Sequence, residues 1–201
     1  SLPENKKLVE AVKNSHEKGT SGSKGWGYKW DESDAKRMVL RTNTTCLSAQ
    51  SLVNIDLKNL PKKYFAVGKC FRNETVDWSH GFEFNQTEGI VVDENANFRQ
   101  LLGYLKEFYL KMGFEKVRCR PGYFPYTEPS MEVDVFFNNQ WMELGGSGIF
   151  RPEVTESIGV KHPVLAWGLG LERLAMLKFG LKDIRDLYIS DLGWLRKKSL
   201  I

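Results

Sequence analysis

"KYFAVGKCFRNETVDWSHGFEFNQTEGIVVD", Lys63 to Asp93, decides how this chain is read. "KYFAVGKCFRNE" has the apolar alternation of a β-strand, and so does "FEFNQTEGIVVD". The polar stretch "TVDWSHG" joins them, so a hairpin is expected. Side chains two apart on a strand share a face. Arg72 and Glu74 then form a charged face, with Phe71 turned to the core. Phe82, Phe84, Gln86 and Glu88 share a face of the second strand, with Glu83 opposite. An arginine fork suits phosphate oxygens. Phe84 suits a planar ring, and Gln86 with Glu88 suits an ammonium group. The same residues also fit a surface ion pair, a core phenylalanine and a solvent-facing edge.

Two later segments add to this pattern. "WMELGGSGIFRP" places Glu143 on a strand before three glycines, whose missing side chains let a ligand approach the backbone. "HPVLAWGLGLERLAMLKFG" reads as a strand, a glycine turn and a helix. Arg173 falls at the start of that helix, where the dipole favours anions rather than cations. An anion between them explains the placement. Arg72 and Arg173 would form a two-armed polyphosphate clamp. The alternative for Arg173 is an ion pair with Glu172 or Asp186.

Around these lie a charged helix over residues 3 to 17, with Pro3 in its first turn, and a mobile loop over 18–28. A short helix follows in "DESDAKRMVLR", capped by Asp31 or Asp34, and another near 44 to 57. The apolar stripe Phe98, Leu101, Leu102, Leu105, Phe108, Tyr109, Met112 predicts a helix over 95–112, stopped by Gly113. "KVRCRP", "SMEVDVFF" and "QWMELGGSGIF" read as strands, the last two joined at "NN", and "DLYISDLGWLRKKSLI" as a terminal helix or coil. The fold class is therefore α+β, a mostly antiparallel sheet flanked by helices.

The 201 residues carry a net charge of +4, which permits a polyanionic partner without requiring one. The basic runs "ENKK", "PKK" and "RKK" read as solvated surface. Three dispersed cysteines, Cys46, Cys70 and Cys119, fit neither a disulfide scaffold nor a zinc ribbon and point to a reducing compartment. No apolar run approaches a membrane span and no signal peptide is visible. There is no Walker motif and no dinucleotide fingerprint. Beginning on Ser1, the chain reads as a processed or excised piece.

"CFRNE…FEFNQTEG" resembles motif 2 of class II aminoacyl-tRNA synthetases, and "GLGLERLAM" resembles their motif 3. With "LRTNTT", "GYFPYTEPSMEVDV", "GSGIFRPEV" and "LAWGLGLERLAMLKFGLKDIRDL", the chain from about residue 4 onward resembles the alpha-chain catalytic domain of the phenylalanyl-tRNA synthetases. Such short motifs are specific through their order. Motif 1, the helix and strand of the class II dimer interface, is not found. Residues 1–201 therefore read as a partial catalytic domain with motifs 2 and 3.

The resemblance implies a ligase that activates L-phenylalanine with ATP and magnesium and transfers it to tRNA(Phe). It also implies a cytoplasmic (αβ)2 assembly with a beta chain. By the same resemblance Arg72 meets the α-phosphate and Arg173 the γ-phosphate. Phe84 stacks on adenine, Glu74 and His80 lie near base and phosphates, and Glu143 holds magnesium. Gln86 and Glu88 take the α-ammonium group. Phe124 and Tyr126, which share strand-like parity, surround the phenylalanine ring with Phe150 over Ala166. Asn43 departs from the pattern by replacing a histidine and, unlike imidazolium, carries no charge. Asn43 and Thr45 lie on the amino-acid side of the site. That departure, with the missing motif 1, leaves two alternatives: a non-catalytic or specialised binding module, or a related enzyme for another amino acid. Poor aminoacylation is expected of this chain alone.

Overall fold

The computed structural model describes residues 5–137 and 139–198. Pro3, Asn138 of the expected "NN" turn and the last three residues of the terminal segment lie outside the described residues. Six strands form one fully antiparallel sheet: β1 (Lys62–Phe71), β2 (Glu83–Val92), β3 (Val117–Pro121), β4 (Thr127–Phe137), β5 (Gln140–Phe150) and β6 (Val164–Gly170). Their order is β1-β2-β6-β5-β4-β3. The α+β reading of the sequence is correct.

Helix α1 (Lys6–Lys18) is capped by Asn5, which accepts from the Lys7 and Leu8 N–H groups. The residues after it fold back: Trp26 N–H donates to the His16 carbonyl at 2.9 Å, and His16 packs edge-on against Tyr28 and Trp30. Asp31 caps the one-turn α2 (Glu32–Lys36), as expected. The helix expected near 44 to 57 is shorter, with α3 spanning Thr45–Val53 and Asn54 at its C-terminal cap. Asn97 and Gln100 close a reciprocal capping box at the start of α4 (Phe98–Lys111), which trims the expected helix at its N-terminal end. The short α5 (Pro152–Thr155) precedes β6, and α6 (Leu171–Phe179) follows it. Two short helices, α7 (Asp186–Ile189) and α8 (Leu192–Lys197), complete the described chain.

The last residues of β2 explain the two layers. Val91 joins Leu101, Leu105 and Tyr109 of α4, together with Met131, Val133 and Leu165, in one core. Its neighbours Ile90 and Val92 point the other way, onto Leu52 of α3, Phe150, Val164 and Ala166. Both faces are covered there, so the strand end is apolar throughout. Further back along β2, the even-numbered positions of that second face line a cavity. This geometry places Phe84, Gln86 and Glu88 in the site.

Candidate active site

The cavity has a volume of about 240 Å³. Every site residue singled out in the sequence lines it: Asn43, Thr45, Arg72, Glu74, His80, Phe84, Gln86, Glu88, Phe124, Tyr126, Glu143, Phe150, Ala166 and Arg173. From Phe84 to Glu88 the floor runs four residues along one strand face, about 13 Å. Pairing to β6 sets Gln86 against Gly170, Glu88 against Gly168 and Ile90 against Ala166. Ala166 therefore continues the same face and is 5% exposed.

At the Phe84 end stand the arginines. The Arg72 guanidinium lies 5.0 Å from the Phe84 ring centroid, and its Nε donates to the Thr42 carbonyl at 3.4 Å. The strand-parity argument for Arg72 and Glu74 does not hold, because β1 ends at Phe71. Arg72 and Glu74 lie in the connection, where Glu74 N–H donates to the Arg72 carbonyl. Phe71 is only half-buried, since β1 is an edge strand. Arg173 makes neither expected ion pair. It donates from Nη1 to the Glu143 carbonyl at 3.3 Å and from Nη2 to His80 Nε2 at 3.0 Å. Glu172 turns away, and its Oε1 accepts from Asn85 N–H, Asn85 Nδ2 and the Tyr188 hydroxyl at 2.7, 2.7 and 2.6 Å.

Glu143 reaches the cavity through an irregularity. The ladder pairs Val133 with Gly145 and Asp134 with Glu143, leaving Leu144 as the extra residue of a β-bulge. Leu144 enters the α4 core, and Glu143 keeps the face of Gly146 and Gly168. Desolvation and the nearby Glu132 push the Glu143 carboxyl above the ordinary range, while Arg173 opposes that shift. Beside it the buried Asp134 accepts from Arg118 Nε at 2.8 Å and Arg120 Nε at 2.6 Å. Arg120 and Arg118 hold Asp134 below the ordinary carboxylate value despite its burial.

Glu88 occupies the middle and is 2% exposed. It accepts from Thr44 and Thr45 Oγ1 at 3.0 Å each and from Ser48 Oγ at 2.6 Å, clamping α3 to the sheet. Burial raises its pKa, and the three hydroxyls only partly offset this. Asn43 opens α3 through its side-chain oxygen, which accepts from Thr45 N–H at 3.1 Å. Sequence reading missed Ser48, although it sits one turn after Thr44 with the hydroxyl spacing of a helix face.

At the far end Phe124 and Tyr126 stack, with centroids 6.3 Å apart and planes at 25°; Tyr126 meets Phe150 edge-on at 6.3 Å. A tight turn aligns them rather than strand parity, since β4 begins only at Thr127 and Thr127 N–H donates back to the Phe124 carbonyl. The β5 glycines also work differently from expectation. A Cβ on Gly146 would lie 2.3 Å from the Phe124 ring, and one on Gly148 would lie 2.6 Å from the Thr127 Cβ. These glycines make room for the cavity's own walls.

Antiparallel sheet, motif order and a cavity joining arginines to a buried carboxylate define the class. The tRNA synthetases class II core domain (F) model matches residues 11–198, and the chain belongs to that family. It is similar to the phenylalanine–tRNA ligase alpha subunit of Methanoculleus marisnigri, 56% identical over 190 residues, covering 94% of this chain and 39% of that protein. The same subunit of Methanococcus maripaludis is 53% identical over 202 residues, covering 97% and 40%. That of Archaeoglobus fulgidus is 54% identical over 191 residues, covering 94% and 40%. The chain thus spans roughly two fifths of the length of these relatives.

Proposed function

We propose that this chain carries the amino-acid-activating site of a phenylalanine–tRNA ligase alpha subunit. The observation that carries the reading is the single cavity joining Arg72, Phe84 and Arg173 to Gln86, Glu88 and the Phe124–Tyr126–Phe150 cluster. In this reading ATP lies with adenine on Phe84 and phosphates between Arg72 and Arg173, with Glu74 and His80 beside them. The phenylalanine carboxylate attacks the α-phosphorus and pyrophosphate leaves. Arg72 offsets the charge that builds on the attacked phosphate. Phenylalanyl-adenylate then donates its acyl group to tRNA(Phe).

Gln86 and Glu88 hold the α-ammonium group, with Asn43 and Thr45 flanking them, and the ring lies over Ala166. Selection against tyrosine is expected because Thr127 and Ser147 of the ring pocket already hydrogen-bond within the protein. Thr127 Oγ1 is 2.6 Å from Ser130 Oγ, and Ser147 Oγ donates to the Met131 carbonyl at 3.4 Å. A phenolic hydroxyl buried without a partner costs roughly 1–3 kcal/mol.

Among the described residues no group of three or more His, Cys, Asp or Glu converges as metal ligands. Magnesium needs no such cage, since one or two carboxylates plus substrate phosphates suffice. Glu143 fits that donor set. Held by Glu143 and the substrate phosphates, magnesium would neutralise charge on those phosphates.

The similarity to alpha subunits supports a beta-chain partner in an (αβ)2 assembly and a cytoplasmic setting. Among the described residues, no helix is long and apolar enough to cross a membrane. The test is phenylalanine-dependent ATP–pyrophosphate exchange in the complete assembly. Exchange that persists unchanged in Arg72→Ala refutes the phosphate assignment.

A further inference from the structure

The connection between β1 and β2 holds a relay of three side chains that ends on Arg173. Asp77 Oδ1 accepts from Ser79 N–H at 2.7 Å and His80 N–H at 2.8 Å, which folds the turn. Both Asp77 carboxylate oxygens lie 3.0 Å from His80 Nδ1, and Ser79 Oγ lies 2.9 Å from the same nitrogen. On the other side of the ring, His80 Nε2 is 3.0 Å from Arg173 Nη2. Ile184 N–H donates to the Trp78 carbonyl at 2.8 Å, docking the turn onto the segment after α6. The relay and the helix that carries Arg173 are thereby tied together.

Arginine has donors only. The Arg173 contact therefore needs a bare lone pair on His80 Nε2, which places the imidazole proton on Nδ1. That proton faces Asp77, with the Ser79 hydroxyl oxygen as a second acceptor. Backbone N–H donation from Ser79, together with hydrogen bonds from His80 and the Ser79 hydroxyl, holds the Asp77 carboxyl down to about 2, so it is an anion at neutral pH. With the other tautomer, Nε2–H and Nη2–H would face each other as two donors, and the arginine would keep only its contacts to the Glu143 carbonyl at 3.3 Å and the Ser79 carbonyl at 3.5 Å.

We infer that Asp77 is a positioning residue for the phosphate end of the cavity: its carboxylate holds His80 as the Nδ1–H tautomer, and the bare Nε2 fixes the Arg173 guanidinium at the cavity wall. Asp77 acts through His80 and touches no substrate. This role rests on the nucleotide reading above.

Asp77→Asn separates the two tasks of the side chain. The amide oxygen still accepts from Ser79 and His80 N–H, so the turn keeps its fold. The amide nitrogen presents a donor to Nδ1 and drives the ring to the Nε2–H tautomer. The chain has three histidines, so nitrogen-15 NMR of the imidazoles is assignable. The wild-type chain should show His80 as Nδ1–H, a result that requires no variant. In Asp77→Asn the tautomer should switch, and affinity for ATP by calorimetry should fall about tenfold. Affinity for L-phenylalanine should stay within about twofold, which a general loss of structure would not give. A wild-type Nε2–H tautomer overturns the inference, as does unchanged ATP affinity after the switch. Nδ1–H with no ATP binding by the wild-type chain overturns instead the nucleotide reading, and the role goes with it.

Discussion

Replacing Gly146 with alanine probes the ring pocket with one methyl group. A Cβ there would lie 2.3 Å from Phe124 Cζ, 2.8 Å from Cε2 and 3.1 Å from Cε1. Carbon atoms pack best at about 3.5–4.0 Å, so the ring must retreat by roughly 1.2–1.7 Å. Tyr126 stacks against it and Phe150 backs Tyr126, so retreat disturbs the whole aromatic cluster. Overpacking of this kind costs about 1–3 kcal/mol, or about 2–12 °C in Tm for a chain of this size. Phenylalanine affinity should fall at least about tenfold while ATP affinity holds, because Phe84 lies at the other end of the floor. Calorimetry with each ligand and a thermal melt measure both effects. Wild-type phenylalanine affinity in a well-folded Gly146→Ala chain would refute the claim that Phe124 shapes the pocket.

Other outcomes follow from the same geometry. Glu88→Gln should bind phenylalanine roughly 100-fold more weakly by calorimetry, since removing one partner of a buried pair costs about 3 kcal/mol or more. Its melting temperature should not fall, because the variant removes a charge that burial disfavours. Opposite pH signs are expected for two buried carboxylates. Glu88, with its raised pKa, contributes stability that is fully present below the ordinary 4.5 and lost as pH rises through its folded value. Asp134, with its lowered pKa, contributes stability present above 3.8 and lost as pH falls through its folded value. Acid melts of Asp134→Asn against wild type should therefore converge at low pH. Asn97→Ala removes the α4 capping box and should cost about 0.5–2 kcal/mol in denaturant unfolding. The chain without a beta subunit should charge tRNA poorly or not at all, and an ordinary enzymatic rate in a charging assay would contradict that.

Much of the site was legible because its residues lie on regular elements. Phe84, Gln86 and Glu88 follow strand parity, and Arg173 follows from a glycine-rich strand entering a helix. What escaped depends on long-range geometry. The bulge at Leu144 keeps Glu143 on the cavity face, and a single sequence carries no mark of where a ladder slips. Phe124 and Tyr126 were placed together for the wrong reason: a turn aligns them, not a strand. Arg72 likewise lies beyond its strand. Ser48 and Asp77 looked like ordinary polar residues of a helix and a turn. Their significance appears only when the fold brings them against Glu88 and His80. The β5 glycines were read as room for a ligand, yet Gly146 makes room for the cavity wall.

The most direct test of the central claim is a crystal structure with a non-hydrolysable phenylalanyl-adenylate analogue. The ligand should lie along β2, with adenine on Phe84, phosphate mimic at Arg72, ammonium at Gln86 and Glu88, and the ring over Ala166 among Phe124, Tyr126 and Phe150. An analogue bound elsewhere, or lying in this cavity with its adenine in the aromatic cluster, would contradict the account.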